Sequence, residues 1–205
     1  MIMIKQRIYL ASSSPRRREL LKQIDVRFDP LLFRNSLRHD AAVSEDPLPG
    51  EAPADYVVRV ARVKARHGTQ LIAQRHLLPR LVLAADTTLD LDGGIIGKPR
   101  DDADAVAILS RLSGRSHRVL TAVALADGGR LEYTLCSSEV CFRTLEEAEI
   151  RHYVASGEPH DKAGAYGIQG RAAMFIAEIR GSHSGIVGLP LCETALLLRA
   201  FGYPL

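Results

Sequence analysis

Short apolar runs of strand length alternate with amphipathic helical stripes along the chain, and that alternation restricts it to a mixed α/β (α+β) fold. Residues 8–11 read as a buried strand. Ser12-Ser13-Ser14-Pro15 follows, then a helix over 16–24 with Ser14 as N-cap and proline at its first position. A second strand is expected over 26–33, and 34–54 reads as a long polar loop. The stripe Val57, Val60, Ala61, Lys64 marks a helix over 54–73. A strand over 81–85 delivers Asp86-Thr87-Thr88, and Asp92-Gly93-Gly94 signals a hairpin. Beyond it lie a helix over 102–112 and strands over 119–126 and 131–142. A capping box at Thr144-Leu145-Glu146-Glu147 opens the next helix. A glycine-rich loop at 164–170, a strand over 174–179 and a helix from Pro190 complete the pattern.

No repeat or composition break divides the 205 residues, so residues 1–205 read as a single domain. With 46% hydrophobic and 25% charged residues the chain is neither disordered nor fibrous. No apolar window is long enough for a membrane span, and the amino-terminal run lacks the apolar core of a signal peptide. Three cysteines fit free thiols in a reducing cytoplasm, the expected location. A net charge of +3 gives no argument for a nucleic-acid partner. The basic residues are unevenly chosen: only five of 27 are lysine.

Four segments carry candidate chemistry. In Ser12-Ser13-Ser14-Pro15-Arg16-Arg17 a helix starts with arginines in its first turn, where the macrodipole favours anions. Free backbone N–H groups and guanidinium forks would together suit phosphate, although a solvated basic turn has the same composition. Lys64 sits in an apolar stripe, either snorkelling at its edge or directed into a cleft. Asp86 follows an apolar strand, where α/β proteins place ligands, and a turn cap is the alternative. Gly97-Lys98-Pro99 returns an ammonium toward it. In Asp161-Lys162-Ala163-Gly164-Ala165-Tyr166-Gly167-Ile168-Gln169-Gly170, glycines at every third residue would let the backbone approach a ligand, with Gln169 as polar reader.

Other motifs fail. The run at 93–99 lacks P-loop spacing and the magnesium-holding hydroxyl, 181–185 has His where a nucleophile elbow has Ser, and the histidines show no zinc spacing.

Taken together, the segments resemble the Maf family of nucleoside triphosphate pyrophosphatases. The likeness runs from Tyr9-Leu10-Ala11-Ser12-x-Ser14-Pro15-Arg16-Arg17 through Tyr56-Val57-x-Arg59-Val60-Ala61-x-x-Lys64-Ala65, Ala85-Asp86-Thr87, Gly97-Lys98-Pro99 and the 162–170 loop to Val187-Gly188-Leu189-Pro190-Leu191. The Ala-Tyr-Gly-Ile-Gln-Gly version is similar to the subgroup acting on dTTP and UTP.

The resemblance implies a fold like that of inosine triphosphate pyrophosphatases, a mixed sheet flanked by helices with a cleft between two lobes. It implies hydrolysis to a monophosphate and pyrophosphate with a divalent cation, magnesium or manganese. Ser12, Arg16, Arg17 and Lys64 would bind the triphosphate, and Lys98 would neutralise the leaving pyrophosphate. Asp86 would accept the proton of the attacking water and share the metal with a second carboxylate. Glu45 is the expected second acid, aligned before Pro49-Gly50-Glu51-Ala52-Pro53, with Asp46 the alternative. Gln169, Arg16 and Thr87 would set base preference. A homodimer is a family-level expectation. The rival reading is a nucleotide-binding regulator of cell division. A non-specific RNA binder fits poorly with 5% aromatic residues.

Overall fold

The computed structural model describes residues 6–33 and 44–205. Among the described residues seven strands form one mixed sheet: β1 (Ile8–Leu10), β2 (Phe28–Pro30), β3 (Val82–Leu91), β4 (Gly94–Ile96), β5 (Ser116–Ala126), β6 (Leu131–Phe142) and β7 (Ile176–Arg180). Their order is β2-β1-β3-β5-β6-β7, with β4 paired to β3. β1 runs parallel to β2 and β3, and the remaining pairs are antiparallel. The helices are α1 (Pro15–Gln23), α2 (Pro53–Gln74), α3 (Asp102–Leu112), α4 (Glu147–Val154), α5 (His183–Val187) and α6 (Leu191–Ala200). Three 3-10 turns at Glu158–Asp161, Ala163–Ala165 and Arg171–Phe175 link α4 to β7.

The pairing of β3 leaves a gap along one of its edges. One edge is covered by β5 from Val82 to Asp90. On the other, β1 pairs only at Val82 and Leu83, and β4 only from Leu89 to Leu91. Asp86-Thr87-Thr88 therefore lies beside a gap between two partner strands. The apolar core divides at the same place. Val82 and Ala84 pack toward α2, and Leu83 and Ala85 toward α1 and α6, whereas Leu89 and Leu91 join a separate cluster with α3 and α4. That division gives the two lobes, with the gap at their waist.

Local chemistry accounts for most elements. The stripe Val57, Val60, Ala61, Lys64 is buried against β3 and β5. α2 lies so close that a Cβ on Gly68 would come 2.6 Å from Val82 Cγ1. The β3–β4 turn has positive φ at Asp92 (57°) and Gly93 (81°), as a two-residue type I′ hairpin requires.

Several boundaries differ from the sequence reading. The first strand after α1 is only Phe28–Pro30, because its partner β1 ends at Leu10, whose carbonyl takes the last ladder bond from Leu31 N–H at 2.9 Å. Ser14 is the N-cap of α1 by position, but its side chain makes no cap bond; Ser12 Oγ instead accepts from Ser14 N–H at 3.2 Å. α4 starts at Glu147 rather than inside a Thr144 capping box. Leu145 N–H is held by Ser113 Oγ at 2.8 Å, and Glu149 accepts from Glu146 N–H at 3.0 Å. Residues 171–175 wind as a 3-10 turn, delaying β7 to Ile176. α5 was not expected: Ser182 Oγ caps it through Gly185 N–H at 3.0 Å. The expected loop over 34–54 falls outside the described residues between 34 and 43.

Candidate active site at the interrupted edge of β3

Asp86 lies inside a ten-residue strand rather than at the end of one. Its two-residue alternation puts it on the α2 face, and Thr87 on the opposite face. On the α2 face, Lys64 reaches out of its buried stripe to Asp86 Oδ1 at 2.9 Å and to Glu45 Oε1 at 2.9 Å. Lys64 and Asp86 are 9% and 8% exposed, whereas the Glu45 side chain is 57% exposed. The ammonium thus bridges a buried carboxylate and one open to solvent. Of the two acids weighed for the second position, Glu45 makes this contact. Asp46 folds back onto Ser44 Oγ at 3.4 Å.

Glu45 stands on an irregular segment held down by α2. Tyr56 Oη donates to Glu45 O at 2.9 Å. Arg59 grips Glu51 through Nε at 2.6 Å and Nη2 at 2.8 Å, and also donates to Ser44 O and Asp46 O. The Arg59 guanidinium holds the Glu51 carboxyl down at about 2. Burial, with the charges of Asp86 and Glu45, pushes the Tyr56 phenol up to about 12, so it remains a donor at neutral pH. Tyr56 and Arg59 were legible only as parts of a motif. Their shared spacing with Lys64 on one helix was the available signal.

On the other face, Arg17 is engaged by the protein. Nε donates to Gly188 O at 2.8 Å, Nη1 to Ala85 O at 2.8 Å and Ser12 Oγ at 3.3 Å, and Nη2 to Thr87 Oγ1 at 3.1 Å. Four of its five N–H groups are thereby used. Burial pulls this guanidinium below its usual range while the carboxylates of Asp86 and Glu45 oppose the shift. Thr87 Oγ1 continues to Thr121 Oγ1 at 2.9 Å, and Thr121 donates to Gly185 O at 2.8 Å. These bonds make Arg17 a strut that ties α1 and the end of α5 to the open edge of β3.

Arg16 crosses the gap to Asp161 at 2.8 Å, and Lys162 binds the same carboxylate at 2.6 Å. Lys98 follows β4, next to Gly97, whose carbonyl accepts from Gly164 N–H at 2.9 Å. Lys98 and Gln169 are exposed. The glycines of the 162–170 loop serve its own packing. A Cβ on Gly164 would meet Leu89 Cδ2 at 2.2 Å, on Gly167 Lys162 Cε at 2.6 Å, and on Gly170 Glu158 Oε1 at 2.0 Å. Glu158 in turn accepts from Tyr153 Oη at 3.0 Å and Arg171 N–H at 3.1 Å, a buttress absent from the sequence reading.

Acid, ammonium and hydroxyl groups thus surround the waist from α1, α2, β3 and the 162–170 loop. Comparison with known proteins matches the model of the Maf-like protein family over residues 7–201. The chain belongs to the Maf family. A relative from Aromatoleum aromaticum, named dTTP/UTP pyrophosphatase, is 63% identical over 98% of both chains. One of the same name from Dechloromonas aromatica is 59% identical over 96% of this chain and 98% of its own. A third, from Nitrosomonas europaea, is 54% identical over 95% and 94%. Among solved structures, the Staphylococcus aureus Ham1 protein is similar at a TM-score of 0.49 and 16% identity, covering 96% of this chain and 97% of that one. In this Maf-like protein no described helix is long and apolar enough to cross a membrane.

Proposed function

We propose that this protein hydrolyses dTTP and UTP to the nucleoside monophosphate and pyrophosphate. The observation that carries the reading is the buried Asp86–Lys64 pair, shared with Glu45, at the interrupted edge of β3. It sits in a chain 54–63% identical to relatives named dTTP/UTP pyrophosphatase.

In this reading Asp86 takes a proton from the water that attacks the α-phosphate. Lys64, 2.9 Å from that carboxylate, orients it and offsets phosphate charge in the same place. Arg16, released from Asp161, and the Ser12 hydroxyl receive phosphate oxygens near the start of α1. Arg17 holds the β3 edge and Ser12 in place. Lys98, exposed beside Gly97, neutralises the departing pyrophosphate.

The donor set fits a divalent cation. Glu45 and Asp86 offer carboxylate oxygens around one ammonium, and Glu45 opens to solvent. Magnesium binds through one or two carboxylates together with substrate phosphates and water. Bound there as magnesium or manganese, it would supply charge neutralisation at the phosphates. Gln169 would pair with the N3–H and adjacent carbonyl of uracil or thymine, with Arg16 and Thr87 fixing the approach.

The test is pyrophosphate release from a panel of nucleoside triphosphates with magnesium, comparing the wild-type protein with Asp86→Asn. Turnover of dTTP and UTP above the other nucleotides, lost by at least about 100-fold in Asp86→Asn, is expected. Wild-type turnover by Asp86→Asn would overturn the assignment of the base.

A further inference from the structure

We propose that Arg59, assisted by Tyr56, is a positioning residue that sets the carboxylate of Glu45. The inference rests on the reading of Glu45 as a working carboxylate and extends it to the groups that make it one.

Glu45 occupies no helix or strand, and its side chain is 57% exposed. A carboxylate so placed ordinarily samples several rotamers, and the single contact with Lys64 would not fix its backbone. The restraint comes from α2. Three consecutive carbonyls are bound from one turn of that helix: Ser44 O by Arg59 Nη1 at 3.2 Å, Glu45 O by Tyr56 Oη at 2.9 Å, and Asp46 O by Arg59 Nη2 at 2.9 Å. The same α2 carries Lys64, so backbone clamp and side-chain partner belong to one rigid element.

Arg59 can do this because Glu51 aligns it. The Glu51 carboxylate takes Nε and Nη2 side by side and also accepts Leu48 N–H at 3.0 Å, which closes the 44–51 segment around the guanidinium. Arg59 also lies 5.6 Å from the Tyr56 ring centroid, so the two clamp residues support each other. A lysine at 59 would keep the charge but lack the planar fork needed to serve a carboxylate and two carbonyls together.

The experiment is a double-mutant cycle on the full chain with dTTP and magnesium, using Arg59→Lys, Glu45→Gln and the combination, with Tyr56→Phe as a second, milder variant. Arg59→Lys is expected to lower kcat by about 10- to 100-fold with little change in KM, the scale of a misplaced group. In the Glu45→Gln background the same change should cost less than about twofold, because the group being positioned is gone. Hydrogen exchange supplies a readout without turnover: amides of residues 44–51 should exchange faster in Arg59→Lys, while those of β3 and β5 stay protected. Equal losses with and without the Glu45 carboxylate, or unchanged exchange at 44–51, would overturn the inference alone. Wild-type turnover by Glu45→Gln would instead remove the role of Glu45 and this inference with it.

Discussion

Asp86 and Thr87 are neighbours on β3 that face opposite sides of the sheet, Asp86 meeting Lys64 of α2 at 2.9 Å and Thr87 meeting Arg17 of α1 at 3.1 Å. One step along a strand therefore separates a charged pair from a hydroxyl held by a structural guanidinium. Because β1 stops short of this point and β4 begins beyond it, groups from both faces reach the same open edge.

The Lys64–Asp86 pair is the first point to test. Replacing one member of a buried ion pair strands the other, at a cost of about 3–5 kcal/mol, whereas removing both is much milder. Lys64→Met should therefore destabilise the protein by about 3 kcal/mol, with part of that loss recovered in Lys64→Met/Asp86→Asn. Urea unfolding of Lys64→Met, Asp86→Asn and the double variant measures this. A double variant as unstable as the sum of its singles would show that the pair is not coupled.

Arg17 should behave as a structural residue with a catalytic consequence. Arg17→Lys preserves the charge but leaves Gly188 O or Ala85 O without a donor, which costs about 2–3 kcal/mol. The expected signature is a lower unfolding midpoint accompanied by reduced activity. A variant of unchanged stability that loses only dTTP binding would make Arg17 a direct phosphate ligand.

Two groups illustrate how the acid side of the stability profile arises. His117, buried beside Tyr166 and Phe142, is pushed down to about 4 by burial from an ordinary value of 6.5. Between those values the unfolded chain takes up a proton that the folded chain refuses, so this contribution is complete above pH 6.5 and fades toward pH 4. Glu51, held down at about 2 by Arg59 from an ordinary 4.5, acts lower: its contribution is present above pH 4.5 and lost toward pH 2. Unfolding free energies from pH 7 to pH 4 should fall less steeply for His117→Phe than for the wild type. Parallel curves would contradict the assignment.

The parts legible in the sequence were those set by local periodicity. The α2 stripe fixed which face Lys64 shares, and the Asp92-Gly93 turn fixed the β3–β4 hairpin. The polar run Asp86-Thr87-Thr88 read as the end of a strand because it interrupts an apolar pattern, yet the strand continues, its polar residues facing a gap in pairing. The role of Arg17 had no local signal: its acceptors include main-chain carbonyls 171 and 68 positions away in sequence. The glycines at 164, 167 and 170 were read as room for a ligand. Their space is filled by Leu89, Lys162 and Glu158, partners that only the tertiary fold brings to the loop.

Gln169 offers the cleanest separation of recognition from stability. Its side chain is exposed on a loop whose neighbours are fixed by other residues: Gly170 N–H donates to Gly167 O at 3.0 Å, and Arg171 N–H donates to Glu158. Gln169→Ala should therefore leave the unfolding free energy within about 0.5 kcal/mol of the wild type. If its amide pairs with the N3–H and carbonyl of uracil and thymine, the ratio of kcat/KM for dTTP over CTP should fall by about 10-fold or more, since a lost base-edge contact is worth about 1–3 kcal/mol. Glutamate at this position would distinguish the two halves of the contact, accepting from N3–H but offering no donor to the carbonyl. A dTTP to CTP ratio untouched by Gln169→Ala would place base recognition elsewhere, with Arg16 and Thr87 the next residues to exchange.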